Sequence, residues 1–136
     1  MNDVTATFSL EVLDGAAPVT GTFRYSPDDP WAVTATFTSA TAGTVTWTFA
    51  RDLLVQGRYE PVGDGDVHVW PCLSADAAAV VVIELDPDPE HISVLLEAPA
   101  RELNAFVEAM VDCVPLGRES EHVDVDAALA RLLTAA

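Results

Sequence analysis

The stretch from Trp47 to Pro71 constrains the fold of this chain more than any other. Its first residues, WTF, end an alternating apolar run that is typical of a half-buried strand, and the next five, ARDLL, predict a short helical turn. Gly57 ends that turn, a cluster of proline and glycine follows at 61–65, and the alternation resumes at 66–70. The stretch therefore predicts a strand, a corner and a new strand, with the rest of the chain folded around them.

Alternating apolar and polar residues predict strands on both sides of this corner. The first four runs place valine, leucine or an aromatic residue on one face and mostly threonine on the other, as expected for a sheet with one buried face. Residues 79–85 are instead a continuous Val/Ile-rich run, which predicts a central strand buried on both faces. The predicted strands span 4–12, 19–25, 31–38, a fourth that follows the turn at 41–43 and ends at the corner, 66–70, 79–85 and 91–97. Residues 72–77 and 86–90 are predicted to be loops, the second because its two prolines cannot continue a hydrogen-bonded ladder.

The end of the chain predicts helices. Pro99 suits a first helical turn, and the apolar residues that follow it recur at helical spacing, namely Leu103, Phe106, Val107, Met110 and Val114. Asn104, Glu108 and Asp112 share the opposite side, as a solvated face or as a docking surface. A last helix is predicted to begin at Asp124 and to carry an apolar stripe, namely Val125, Leu129, Leu132 and Leu133.

These elements predict an α+β fold. We expect a single β-rich domain over residues 1–136, with about seven antiparallel strands, a short helix at the mid-chain corner and two C-terminal helices. A chain of 136 residues, half of them apolar, is of the size that fills one core.

The charge of the chain is its most extreme property. It has 22 Asp and Glu against 6 Arg and no Lys, which gives a net charge of −16. Nucleic acids and anionic membranes are bound through cations that neutralise phosphates, and this composition supplies few of them. The charge therefore argues against both classes of ligand.

The sequence shows no pattern of export or membrane insertion. The N-terminus has no basic start followed by a continuous apolar block, and no run approaches the roughly 18 apolar residues of a membrane helix. We expect the protein in the cytoplasm, with Cys72 and Cys113 as reduced thiols.

No residue pattern predicts catalysis, a metal or another cofactor. The three histidines lack the spacing of a zinc site, and residues 64–66 (DGD) lack the later ligands of a calcium loop and are interpreted as a turn. There is no G-x-S-x-G elbow, and neither cysteine has a catalytic context. We therefore expect a protein that is not an enzyme.

The tryptophans and a few cations are the candidate contact residues. Trp31 and Trp47 share faces with valine and phenylalanine, which favours core packing. Trp70 shares its face with His68, and either packs under the helices or stands at an interface. Arg51 is interpreted as a structural residue of the corner, with a partner contact as the alternative. The candidate partner-binding residues are Arg51, Arg58, His68 and Trp70.

Beyond these patterns, the chain resembles a known family, the SsgA-like sporulation and cell division proteins of actinomycetes. The resemblance rests on RY and DPWAV at 24–33, on W-x-FARDLL at 47–54, on Gly57, on GDV-x-VWP at 65–71 and on short motifs as far as 114–115. The signature residues, most of which we interpret as structural, are Arg24, Tyr25, Asp29, Pro30, Trp47, Phe49, Asp52, Leu53, Gly57, Gly65, Asp66 and Pro71. Trp31 differs from the Tyr or Phe expected at its position.

The resemblance implies a fold and a role. It implies a β-rich fold like that of the Whirly single-stranded nucleic-acid-binding proteins, a homotrimer, and partners in division, namely the tubulin-like protein FtsZ or another SsgA-like protein at septa. Two hypotheses follow, a non-enzymatic regulator of sporulation-specific division and a single-stranded nucleic-acid-binding module. The net charge of −16 favours the first.

Overall fold

In the computed structural model, residues 2–13, 15, 17–41, 43–86, 93–123, 129–130 and 132–133 are described. They include eight strands, two α-helices and a short 3-10 helix. The strands are β1 (Val4–Val12), β2 (Val19–Tyr25), β3 (Ala32–Ser39), β4 (Gly43–Ala50), β5 (Val62–Asp64), β6 (Val67–Leu73), β7 (Ala79–Leu85) and β8 (Val94–Pro99). The helices are α1 (Arg51–Gly57) and α2 (Ala100–Cys113), followed by the 3-10 helix Glu119–His122.

All eight strands belong to one antiparallel sheet that curves into a half-barrel. Its order is β4-β3-β2-β1-β8-β7-β6-β5, so two four-stranded meanders meet where β1 pairs with β8. That junction is narrow, because only Glu11 with Glu97 and Val12 with Leu96 are in register across it. Each meander is followed by a helix, so the order of four strands and then a helix occurs twice.

The core lies on the concave side of the sheet, where the apolar half of each alternating strand points. Phe23 is fully buried at its centre, with the rings of Phe8, Phe37 and Phe106 at 5.1, 5.8 and 5.8 Å between centroids. Phe106 comes from α2, whose apolar stripe packs on β1, β7 and β8. The helical spacing and Pro99, which is the N-cap of α2, thus predicted this element correctly.

The opposite face of the first meander is covered by threonine. Cross-strand hydroxyl pairs join β3 to β4, namely Thr34 with Thr48, Thr36 with Thr46 and Thr38 with Thr44, at oxygen distances of 3.4, 3.2 and 3.2 Å. Branched side chains packed in this way favour the extended backbone, which explains why the alternation predicted these strands so well.

The expectation of about seven strands was wrong by one. The additional strand is β5, three residues long, which pairs with β6 through the Gly65 turn (φ +60°) in the segment that we expected to be a turn only. β6 also continues to Leu73, into the predicted loop, because Cys72 and Leu73 pair with β7. Pro71 is accommodated in β6 and exposed.

Two other expectations fall partly outside the described residues. The strand predicted at 91–97 begins outside the described residues, and its described part, β8, starts at Val94. Most of the predicted last helix, including Asp124 and Val125, also lies outside the described residues. Its described residues, 129–130 and 132–133, are helical, and Leu129, Leu132 and Leu133 are exposed. Among the described helices, none has both the length and the apolar character of a membrane span.

Candidate functional site

Arg51 begins α1 directly at the end of β4, so the corner expected between a strand and a helix is present. Its backbone N–H donates to the carbonyl of Trp31 at 2.8 Å, which extends the β3–β4 ladder into the first helical residue. Its side chain is the largest fully buried one in the described part of the chain. A buried guanidinium requires several acceptors, and these define the site.

The acceptors come from the segment that follows α2. Nη1 of Arg51 donates to the carbonyl of Val114 at 2.8 Å and Nη2 to that of Pro115 at 3.4 Å. Nη2 also lies 3.5 Å from the Oε2 of Glu119. A planar, forked cation can reach three oxygens in this way, so Arg51 links the mid-chain corner to the end of the described fold.

Tyr25 completes the site on the side of the sheet. The carbon at the centre of the guanidinium lies 5.3 Å from the centroid of its ring, a cation–π distance. The Tyr25 hydroxyl donates to the carbonyl of Pro30 at 2.9 Å and so anchors the turn before β3. Tyr25 and Pro30, two of the signature residues, therefore share a structural role with Arg51.

Two groups of this site, Glu119 and Tyr25, have shifted pKa values. The pKa of Glu119 is lowered, first by a hydrogen bond from its own backbone N–H and then by the charge of Arg51, while burial opposes both. Burial raises the pKa of the Tyr25 phenol. Both shifts favour the charge state that each group already has at neutral pH, an ionised Glu119 and a neutral Tyr25.

The other candidate contact residues lie elsewhere. Arg58 follows α1, where its Nε donates to the carbonyl of Val55 at 3.2 Å and its guanidinium lies 4.6 Å from the ring centroid of the exposed Tyr59. His68 and Trp70 share the outer face of β6, away from the core. The four predicted partner-binding residues therefore do not form one cluster, and Arg51 is too buried to contact a partner directly.

The outer face of β6 has its own local order. His68 Nδ1 is 3.3 Å from Glu84 Oε1, and its ring covers Gly63, where a Cβ would come within 2.1 Å of it. Trp70 is half-buried and lies opposite Val82. Val69 lies between His68 and Trp70 in sequence and belongs to the core. Neighbouring residues of a strand point to opposite faces, so Trp70 lies on the other face of the sheet and does not pack under the helices.

Trp31 does not pack in the core as expected, and Trp47 does so only in part. Trp31 is 48% exposed because it still belongs to the turn before β3, so the inward face begins at Val33 instead. Trp47 is half-buried at the margin of the core. Among the other signature residues, Phe49, Leu53 and Gly57 are buried.

Exposed signature residues stabilise turns and surfaces. Arg24 pairs with Asp3 through two guanidinium nitrogens, and the backbone N–H of Asp29 donates to the carbonyl of Ser26 at 3.0 Å. Asp52 is the acidic residue in the first turn of α1, where it complements the helix dipole. Gly65 and Asp66 are exposed at the β5–β6 turn.

The sequence reasoning missed an apolar groove of about 690 Å³ beside β4. The described residues that line it carry no charge, and they come from β1, β2, β3, β4, β7, β8 and the adjoining turns. They are Val12, Ala17, Val19, Phe37, Ser39, Thr41, Gly43, Val45, Thr46, Trp47, Leu85, Val94 and Leu96. The signal available in the sequence was the absence of any charge from 43–50 in a chain of net charge −16.

Within the described part of the chain, no three His, Cys, Asp or Glu side chains are grouped so as to hold a metal ion.

Comparison with known proteins decides the family. Residues 19–119 match the family model described as Streptomyces sporulation and cell division protein, SsgA. The chain belongs to the SsgA family. It is 42% identical over 120 residues to the sporulation-specific cell division protein SsgB of Streptomyces coelicolor, covering 88% of this chain and 85% of SsgB. It is 41% identical over 135 residues to SsgB of Frankia casuarinae, covering 97% and 92%.

Comparison with solved structures supports the same family and fold. A structure reported with mutations in SsgB that correlate to longitudinal cell division during sporulation of Streptomyces coelicolor has a TM-score of 0.80, 42% identity, and coverage of 89% of this chain and 95% of that chain. The SsgA-like sporulation-specific cell division protein of Thermobifida fusca has a TM-score of 0.80 at 31% identity, with coverage of 96% and 94%. These relatives support a role in sporulation septation for this family member.

Proposed function

We propose that this protein is a non-enzymatic regulator of sporulation-specific cell division. It acts through protein–protein interaction and localises or recruits the septum machinery, either FtsZ or another SsgA-like protein. The observation that carries the proposal is the similarity to sporulation-specific cell division proteins across nearly the whole chain, in sequence and in fold. The protein acts in the cytoplasm and at division septa.

The proposal assigns the outer face of β6 to partner binding. His68 and Trp70 lie there, half-buried on the side of the sheet that neither helix covers, and an amphipathic ring in this position is suited to an interface. Arg58 with Tyr59 supplies a second exposed contact at the end of α1. Arg51 supports these surfaces only by holding the corner.

We also propose that the protein assembles as a homotrimer with a Whirly-like fold. The twofold occurrence of four strands followed by a helix supports the Whirly-like fold. Light scattering tests the trimer, because the chain mass is 14.5 kDa and a trimer has three times that mass. A monomer at micromolar concentration would contradict it.

The alternative, a single-stranded nucleic-acid-binding module, is disfavoured by the placement of the cations. Three of the five described arginines are paired with carboxylates, namely Arg51 with Glu119, Arg24 with Asp3 and Arg118 with Glu121. A groove that follows a phosphate backbone needs several unpaired cations in line.

Co-sedimentation with polymers of purified FtsZ tests the proposal, together with the position of a fluorescent fusion in sporulating hyphae. We expect binding and septal fluorescence. Trp70→Ala should weaken the binding, whereas Trp31→Ala, a control that removes an exposed ring elsewhere, should not. If the protein binds neither FtsZ nor a purified SsgA-like protein, and is spread evenly through hyphae that divide normally without it, the proposal is wrong.

A further inference from the structure

β4 is an end strand whose outward backbone groups can be identified. Among the described strands it pairs with β3 alone, in a register that runs without a break from Ala32 opposite Ala50 to Ser39 opposite Gly43. The bond from the Arg51 N–H to the Trp31 carbonyl fixes which opposing pairs are hydrogen-bonded. In an antiparallel ladder such pairs alternate, so Val45 and Trp47 bond to β3. The N–H and C=O of Thr44, Thr46 and Thr48 therefore point to the free edge.

This edge lacks the usual protection against pairing. Its eight residues, GTVTWTFA, contain no charge and no proline, and the register shows no bulge. The edge at the other end of the sheet is different, since β5 has three residues and ends in Asp64. Proteins blunt exposed edges with short strands, charges, prolines or bulges, and a long edge without them is a template for another strand.

The apolar groove lies on the inward side of the same strand. Val45 points to this inward side, because it alternates with the threonines of the outer face, yet it is 55% exposed. Trp47, two residues further on, also lines the groove. A strand added antiparallel to β4 would place the side chains opposite Val45 and Trp47 in the groove. Side chains opposite Thr44, Thr46 and Thr48 would continue the threonine face.

We propose that β4 and its groove bind an extended segment of the partner protein by strand addition. The segment alternates aliphatic residues, which enter the groove, with threonine or serine, which extend the hydroxyl face, and it carries basic residues at its ends. The basic ends follow from charge complementarity with a chain of net charge −16. The inference rests on the proposed function and specifies one surface that it uses.

A designed peptide tests the geometry without the natural partner. The probe is a fluorescent peptide in which pairs of lysine flank the sequence TVTVTVT. Two isomers of equal charge serve as controls, one N-methylated at its threonines and the other at its valines. In the proposed register the threonine N–H groups bond to β4 and the valine N–H groups point away. We expect the parent peptide and the valine-methylated isomer to bind, and the threonine-methylated isomer to lose about tenfold or more in affinity.

Variants of the protein test the same edge. Thr46→Pro removes an outward N–H that makes no bond to β3, whereas Thr46→Val keeps it. We expect Thr46→Pro to weaken peptide binding about tenfold and Thr46→Val to leave it unchanged. Val45→Glu, which puts a charge in the groove, should abolish binding and gives a second test if Thr46→Pro folds poorly.

Several results would overturn the inference. These are equal binding of the two methylated isomers, full binding by Val45→Glu, no binding of the parent peptide, or a mass by light scattering that falls in Thr46→Pro, which would assign the edge to a second copy. FtsZ co-sedimentation of Thr46→Pro separates the two proposals. If the peptide fails to bind while FtsZ still does, strand addition is wrong and the proposed function stands.

Discussion

At the scale of single residues, Arg51 is where the sequence was most informative. Its position next to Asp52, in a turn flanked by apolar residues, predicted a guanidinium that satisfies several oxygens. The structure places it on two carbonyls and near Glu119. The identity of those acceptors was not predictable, because Val114 lies 63 residues away and nothing local in either segment specifies the other.

Arg51→Ala should lower the free energy of unfolding by about 1.5–3 kcal/mol, since charge-assisted hydrogen bonds are lost and two carbonyls are left without a donor. Urea denaturation followed by tryptophan fluorescence measures it. Arg51→Lys is the matched control, and it should recover only part of the loss because one ammonium cannot reproduce the fork.

The same samples separate structure from interface. We expect FtsZ binding by Arg51→Ala to fall only as far as its folded fraction falls. A variant that unfolds like the parent but no longer binds FtsZ would show that the structural interpretation is wrong.

The Arg51 site also predicts a pH dependence. The pKa of Glu119 in the folded protein lies below its ordinary value of 4.5, so its ionised form stabilises the fold. That contribution is fully present above the pKa of the unfolded state and is lost as the pH falls through the lowered folded pKa. Urea unfolding from about pH 7 down to about pH 3 should therefore show a steeper acid loss in the parent than in Glu119→Gln. Parallel curves would contradict this.

At the scale of elements, alternation and helical spacing carried most of the prediction. β1, β2, β4, β7 and α2 lie where the sequence placed them, because one face of each is apolar and the other polar. β5 was missed because three residues beside glycine and proline cannot show a period. The groove was missed for a different reason, since its walls come from strands far apart in sequence and their closeness depends on the curvature of the sheet.

The contact between α1 and β6 can be tested at Gly57. A Cβ there would lie 2.3 Å from a methyl group of Val69, so Gly57→Ala should push the helix away from the strand. We expect a loss of roughly 1–3 kcal/mol in the free energy of unfolding, as for other overpacked sites.

The control for this prediction is the exposed neighbour, Gln56→Ala, which should change little. In a double-mutant cycle, Gly57→Ala combined with Val69→Ala should cost less than the sum of the two single changes, because the smaller side chain relieves the clash. Strict additivity would show that the clash is not the cause.

At the scale of the whole molecule, the architecture would permit binding of single-stranded nucleic acid, whereas the net charge opposes it. We expect the charge to prevail. A curved sheet with hydroxyl and aromatic groups could accept single-stranded nucleic acid, but the net charge is −16 and most described arginines are paired. The composition was fully available in the sequence. The pairing of the cations was not, since Asp3 and Arg24 meet only through the register of β1 with β2.

We therefore expect no binding of single-stranded DNA at physiological salt. Fluorescence anisotropy with a labelled oligonucleotide measures it, and a titration at low salt reveals any electrostatic contribution. Micromolar or tighter binding that weakens as salt is added would contradict the prediction and favour the nucleic-acid-binding alternative.

The long separation between Arg51 and its acceptors has a consequence for biosynthesis. At the usual rates of translation, about 5–20 residues per second, the 63 residues that follow Arg51 as far as Val114 take about 3–13 s to synthesise. During that time the first meander is complete on the ribosome, yet its corner guanidinium has no carbonyl to bond and β1 has no β8 beside it. The N-terminal half therefore reaches its native contacts only after β8 and the segment that follows α2 have been made.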